Sequence, residues 1–360
     1  MKHGPRSAER KAAWLLSLPA IVLLVSFVIL PVLLGLVLGF TNAQLLSPNK
    51  PEFTGLSNFR TLLGVAQTTL QAGKNPDGTF KKDSSGAIEY QAVRPLTREG
   101  SKYPNLIGKT EVKRYGEDKE KGTIKVILAG DPTFWRALTN TLFFALIVVP
   151  VQAGFALLLA LLVNQKLKGR NFFRTIYFIP TVTSMVVISM LWKFIYQPDG
   201  LLNQAITNFM PQYQPIDWLG NPKTAMPAII FMSIWQAVGY HMIIWLGGLQ
   251  TIPQELYEAA RMDGAKKWHE FKYVTVPGLR HTFVFILITI TIAALGLFVQ
   301  VAILTSGGPL DATTTLVHQA FTRGYGRQEI GYGSAISFVF FTMVLAIALI
   351  QRQLTKRIDD

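Results

Sequence analysis

Five stretches of this 360-residue chain, 12–49, 137–165, 224–254, 281–310 and 330–351, contain no Lys, Arg, Asp or Glu. A helix needs about 20 mainly apolar residues to cross a bilayer, and a soluble domain has no place for several such runs. A sixth apolar run is flanked by Arg174 and Lys193, which can reach the interfaces from the two ends of a span. The runs predict spans over roughly 14–40, 134–163, 172–196, 224–249, 281–304 and 332–351. The first is too long for a signal peptide, and no small-residue cleavage pattern follows it, so it reads as a retained span. The expected fold class is an all-α integral membrane protein with six transmembrane helices.

The formal charge of +14 sits in the connections between these runs. Residues 1–13 hold Lys2, Arg6, Arg10 and Lys11, and the second-to-third connection holds Lys166, Lys168, Arg170 and Arg174. Arg261, Lys266, Lys267, Lys272 and Arg280 lie between the fourth and fifth runs, and Arg352, Lys356 and Arg357 lie in the tail. The opposite short loops, 197–223 and 305–331, hold only Lys223, Arg323 and Arg327. Lys and Arg collect in short cytoplasmic loops, so both termini are expected in the cytoplasm, which requires an even number of spans. The 41–133 connection is basic but long, and long loops translocate largely regardless of charge.

Composition also excludes function classes. There is no cysteine, and the five histidines (His3, His241, His269, His281, His318) show no metal-binding spacing. No nucleic-acid motif accompanies the basic charge, so no nucleic-acid partner is expected. No convergent carboxylates or Ser/His pair suggest an enzyme. The interiors of the runs lack acidic residues, which argues against a carrier driven by protons or sodium, the main rival from another class. Gly108-Lys109-Thr110 mimics the end of a phosphate-binding loop, but Tyr103 stands where that loop needs its first glycine.

The connection between the fourth and fifth runs is the most informative. Pro253 suits a helix start, and Glu255 and Glu258 suit the positive end of its dipole. Leu256, Ala259 and Ala260 share one face. Gly264 can end the helix in the left-handed conformation. A second short helix is expected from about Ala265 until Pro277 stops it. The bland alternative is a solvated loop helix in which Glu258 pairs with Arg261 at i, i+3.

This loop resembles the EAA motif of ATP-binding-cassette (ABC) importer permeases: Glu258, Ala259, Ala260, Gly264 and Pro277 keep its spacing, with Val274 and Val276 in place of Ile and Leu. Further segments resemble the carbohydrate branch of that family, the maltose and glycerol-phosphate type. They are Phe53–Phe59, Asp131–Thr141, Lys168–Arg174, Leu249–Ala260 and Leu304–Pro309. The resemblance covers nearly all of the chain except roughly 64–130. It implies a type I importer permease fold in a prokaryotic cytoplasmic (inner) membrane, crossing several times. The implied partners are an ATPase dimer docked on loop 250–280, a second permease subunit, an extracytoplasmic solute-binding protein and membrane lipid. The chain itself would bind no cofactor, and ATP and Mg would belong to the partner ATPase. A permease for a non-sugar solute is the alternative within the class.

The implied division is a cytoplasmic N-terminus 1–13, a first helix and following segment 14–63, an insert 64–130, a core 131–351 and a cytoplasmic tail 352–360. The insert is polar, has no membrane-length run and is expected outside the cytoplasm. Thr110–Tyr115 and Thr123–Leu128 are β-branched or alternate, which predicts short strands. It reads either as a tolerated loop ornament or as a contact for the incoming binding protein. For the solute, aromatic faces and amide or hydroxyl groups are wanted. The candidates are Tyr196 and Asn203 near the end of the third run, and Ser233, Gln236 and Tyr240 on one face of the fourth, with Trp192 and Trp235 close by. Bonding between neighbouring helices is the competing use for such groups.

Overall fold

The computed structural model describes residues 7–165 and 169–359, with side chains from 12–165 and 169–354. Lys2, His3, Arg6, Lys166 and Lys168, which enter the sequence reading above, lie outside the described residues.

In chain order the main elements begin with α1, continuous from Ser7–Leu24 through a π-helical turn at Val25–Ile29 to Leu30–Leu38. There follow α2 (Ser57–Leu63), the strands β1 (Val65–Gln71), β2 (Thr110–Asp118) and β3 (Thr123–Ala129), and α3 (Pro132–Asn164). Then come α4 (Arg170–Val182), α5 (Met185–Ile195), α6 (Ala225–Thr251), α7 (Gln254–Met262) and α8 (Lys267–Glu270). The chain closes with α9 (Arg280–Leu295), α10 (Val299–Leu304) and α11 (Ile330–Asp359). Among the described residues, five stretches are long and apolar enough to cross a membrane: Ala12–Leu38, Pro132–Asn164, Ala225–Thr251, Arg280–Leu304 and Ile330–Leu354. The pair α4 and α5 passes the same test only together, and counted as one crossing it brings the number to six.

One of the expected spans differs. The first and last stretches match, although their helices run on to Ser7 and Asp359 at the two ends. The third span is not one helix, because α4 and α5 are bent by 99°. Thr183 and Ser184 are extended, with ψ of 142° and 130°, three residues after Pro180, which has no N–H to continue the ladder. The polar groups at the break are met by α6: Gln236 Nε2 donates to the Pro180 carbonyl (3.3 Å), and Thr181 Oγ1 donates to the Gln236 carbonyl (3.1 Å). Irregular backbone at membrane depth is tolerated where a neighbour satisfies it in this way. Gly239 makes the approach feasible, because a Cβ there would collide with the Tyr177 carbonyl.

The chain divides into two compact units, residues 1–132 with 320–339, and residues 133–319 with 340–360. In the first unit the residues of α1 are largely exposed and apolar all round, as a lipid-facing helix requires. Phe40, Phe59 and Phe338 pack ring on ring at 4.9–5.9 Å. Asp131, 3% exposed, is bonded by Arg323 (3.2 Å) and the Tyr332 hydroxyl (2.8 Å).

The insert is an antiparallel sheet in the order β1-β3-β2. Strands β2 and β3 match the sequence expectation, and β1, paired from Val65↔Ala129 to Gln71↔Thr123, is additional. The insert has its own apolar centre of Leu70, Val93, Leu106, Ile124, Val126 and Leu128. Between β1 and β2 two turns repeat at an eight-residue interval: Asn75 N–H donates to Thr79 and Asp83 N–H to Ala87, each at 2.8 Å. Around them the backbone closes a three-membered ring, with Gly73 N–H donating to Glu89, Lys81 to Gly73 and Glu89 to Lys81, at 2.8–2.9 Å.

The second unit holds the larger core, built from α3, α6, α9 and α10. Trp245 is buried at its centre and donates from Nε1 to the Ala153 carbonyl (3.0 Å). Lys193, at the end of α5, donates to the Ile303 carbonyl at 3.1 Å, near the end of α10.

Candidate functional site

The connection between α6 and α9 is a helix, a glycine turn and a second helix. α7 starts directly after Pro253, with Glu255 in its first turn. Gly264 takes φ +76°, as the sequence predicts. Ala265 N–H donates to the Ala260 carbonyl (2.9 Å) and Gly264 N–H to the Arg261 carbonyl (3.0 Å). These are the two bonds of a Schellman ending, so the interval from Ala260 to Gly264 is the distance from C3 to C′. The EAA-to-glycine spacing therefore has a local backbone cause. A Cβ at Gly264 would meet nothing within 4 Å, so its requirement is conformational and not steric.

One expectation for this loop is corrected, and the ion pair of the bland alternative is not formed. Pro277 does not stop the second helix. α8 passes into a π-helical turn, Phe271–Thr275, and then into a helical turn, Val276–Gly278. Val276 N–H reaches back five residues to the Phe271 carbonyl, and the wide turn places Pro277 at the start of the next one, where a missing N–H costs nothing. Arg261 does not pair with Glu258. Its Nε donates to Glu270 Oε1 (2.9 Å) and its Nη2 to Glu270 Oε2 (3.4 Å). This charge-assisted bond holds the Glu270 carboxyl below the usual carboxylate range. Glu258 is exposed, as is Ala259, while Ala260 is half-buried. No residue of α7 is buried, and Leu256 and Met262 are 51% and 89% exposed.

The residues read as solute contacts fall into two groups. Tyr196 is buried, and its hydroxyl donates to the Ala228 carbonyl (2.9 Å). Asn203 is 1% exposed and ties its own loop. Its Nδ2 donates to the carbonyls of Gln197, Pro198 and Ile216, and its Oδ1 accepts from Tyr213, Ile216 and Trp218. Both side chains are committed within the chain. Gln236 is likewise engaged with the α4 break. Ser233 is buried with no partner for its Oγ among the described residues, and Tyr240 is 44% exposed. Trp192 gathers Tyr196, Phe231 and Trp235 around it at ring separations of 5.1–5.7 Å, and Phe231 and Trp235 stay exposed. His241 lies 2.9 Å from Gln152 Nε2 and 3.0 Å from the Ala237 carbonyl, packed between helices.

These features define an integral membrane permease with an exposed helix-turn-helix between two spans. Residues 128–360 match the family of binding-protein-dependent transport system inner membrane components, and the chain belongs to that family. It is 41% identical over 235 residues to the Bacillus subtilis protein named Probable ABC transporter permease protein YurN, covering 64% of this chain and 80% of that one. It is 36% identical over 238 residues to the lactose transport system permease protein LacF of Rhizobium radiobacter, covering 65% and 80%. A crystal structure of a bacterial ABC transporter involved in import of the acidic polysaccharide alginate aligns with a TM-score of 0.69 at 21% identity, over 98% of this chain and 99% of that one. Coverage that high takes in the insert as well as the core, so the insert belongs to a shared fold.

Proposed function

We propose that this chain forms part of the path by which a sugar, delivered by an extracytoplasmic binding protein, enters the cytoplasm, with ATP hydrolysed on a separate chain. The observation that carries the reading is α7. It leaves Leu256, Ala259 and Met262 exposed on a helix held by a Schellman turn between two membrane helices. An apolar, small-residue face that the chain leaves uncovered fits the groove of a partner. In this reading Glu258, Ala259, Ala260, Gly264 and Pro277 are mechanical residues, ATP and Mg belong to the ATPase dimer, and a second permease subunit completes the path. Both termini and α7 lie on the cytoplasmic side, and the 64–130 sheet lies outside. The names of relatives support a carbohydrate, since LacF is a lactose permease and a Thermococcus litoralis relative is a trehalose/maltose permease. For the sugar we favour the α6 face of Tyr240, which is exposed, and Ser233, whose Oγ has no partner among the described residues. Tyr196, Asn203 and Gln236, whose polar groups are bonded within the chain, support the local backbone in this reading.

Affinity capture of the chain from detergent-solubilised native membranes tests the reading. Wild type should bring down an ATPase and a second permease, and Glu258→Lys should lose the ATPase. Capture of the wild-type chain alone would overturn it.

A further inference from the structure

α7 meets the core through little more than Tyr257, which is half-buried and packs against its apolar residues. Its inner side borders a cavity of about 940 Å³ that reaches from the ends of α3 and α6 to the second helix of the loop. One half-buried side chain beside an open groove fixes the angle of such a helix only weakly. Two polar contacts bridge the gap. The Tyr257 hydroxyl meets Thr275 Oγ1 at 3.0 Å, and the Arg261 fork grips both oxygens of Glu270.

The two contacts have matched spacing. Tyr257 and Arg261 are four residues apart, one turn of an α-helix, and face the same way. Glu270 and Thr275 are five residues apart, which an ordinary α-helix would turn onto different faces. The π-helical turn Phe271–Thr275 restores their alignment, and Thr275 Oγ1 also donates to the Glu270 carbonyl at 3.4 Å. The Glu270 side chain is 14% exposed, so one half of the ion pair is already held in place.

We infer that Arg261 and Glu270 are positioning residues that brace α7 against the helix leading into α9, so that a push on α7 reaches the membrane helices instead of being absorbed at the Gly264 turn. The inference rests on the proposed docking of an ATPase at α7, and the wide turn is the device that sets the register of the brace. A two-point clamp across an open cavity transmits torque as well as translation, because α7 cannot swivel about either contact alone.

Amide exchange on the purified complex, with its ATP hydrolysis measured in parallel, tests this. Arg261→Glu and Glu270→Arg should each speed exchange in residues 254–263 about fivefold or more and change basal ATP hydrolysis about threefold, with ATPase recovery unchanged. The double exchange Arg261→Glu with Glu270→Arg should return both readings toward wild type, a rescue that general damage to the loop would not give. The brace is overturned if the single variants exchange and hydrolyse like wild type, or if the double variant is no better than either single. Failure of the wild-type chain to recover any ATPase would instead overturn the proposed function, while the exchange readout would still decide whether the clamp holds α7.

Discussion

Two polar segments leave the membrane helices of this chain, and they are built in opposite ways. The 64–130 insert supplies its own apolar centre, pairs its three strands and bonds the backbone of its turns. The 253–279 loop buries no residue of its first helix and presents Leu256 and Met262 to the outside. A segment that satisfies itself can be carried as a passenger, whereas one that leaves apolar surface uncovered is incomplete without something to cover it. The contrast distinguishes a self-contained segment from one with uncovered apolar surface more sharply than charge or length does.

The largest effect expected from breaking this contrast lies in the insert. Leu128→Ala removes a fully buried side chain and should cost about 2–5 kcal/mol of local stability, seen as rapid limited proteolysis of 64–130. ATPase recovery with the chain should not change. In the loop the pattern reverses: Leu256→Asp should lower ATPase recovery about thirtyfold, the scale of an interface hot spot, with no change in proteolysis of the insert. Gly264→Val should cost about 1–2 kcal/mol, because the left-handed backbone and not crowding opposes it, and sugar uptake should fall at normal membrane abundance. The smallest effect concerns pH. The Glu270 carboxyl titrates lower in the folded loop than in an unfolded one, so its contribution is complete above the ordinary carboxylate range and is lost as pH falls through its lowered value. Protection of residues 254–263 in wild type relative to Glu270→Gln, measured at the same pH, should stay flat from pH 8 to about 5.5 and shrink only in stronger acid.

What the sequence could foretell follows the same division. Long charge-free runs, the left-handed Gly264 and the β-branched stretches of β2 and β3 are local signals, and they stand where expected. The bend after Pro180 was hidden because a proline inside an apolar run does not say whether a neighbouring helix will satisfy the broken ladder. The continuation through Pro277 depends on a π-helical turn, for which composition gives no sign. The Arg261–Glu270 clamp joins two helices across a turn, while Glu258 offered a nearer partner at helical spacing. β1 passed as loop because Val65–Gln71 is half polar, and its alternation of exposed and less exposed residues shows only in the structure. Of the candidate solute residues, Tyr196 and Asn203 gave no warning that their polar groups are taken up by nearby carbonyls. The repeat of Gly73–Phe80 in Lys81–Ile88, each with Asn or Asp followed by Gly three residues later, was a legible signal for the tandem turns.

The ring of Gly73, Lys81 and Glu89 bears on how the insert behaves among other copies of itself. An open strand edge is a template for aggregation, and a small sheet on a crowded membrane surface would present two. Past the end of β1 the backbone groups of the tandem turns consume one another in a closed circuit, so the turns have little left to offer a neighbouring chain. On the far side β2 is interrupted by two irregularities in register and carries Glu111, Lys113 and Arg114, which discourage a second strand from adding. The tandem turns and the β2 flank are thereby poor templates for a second copy of the insert.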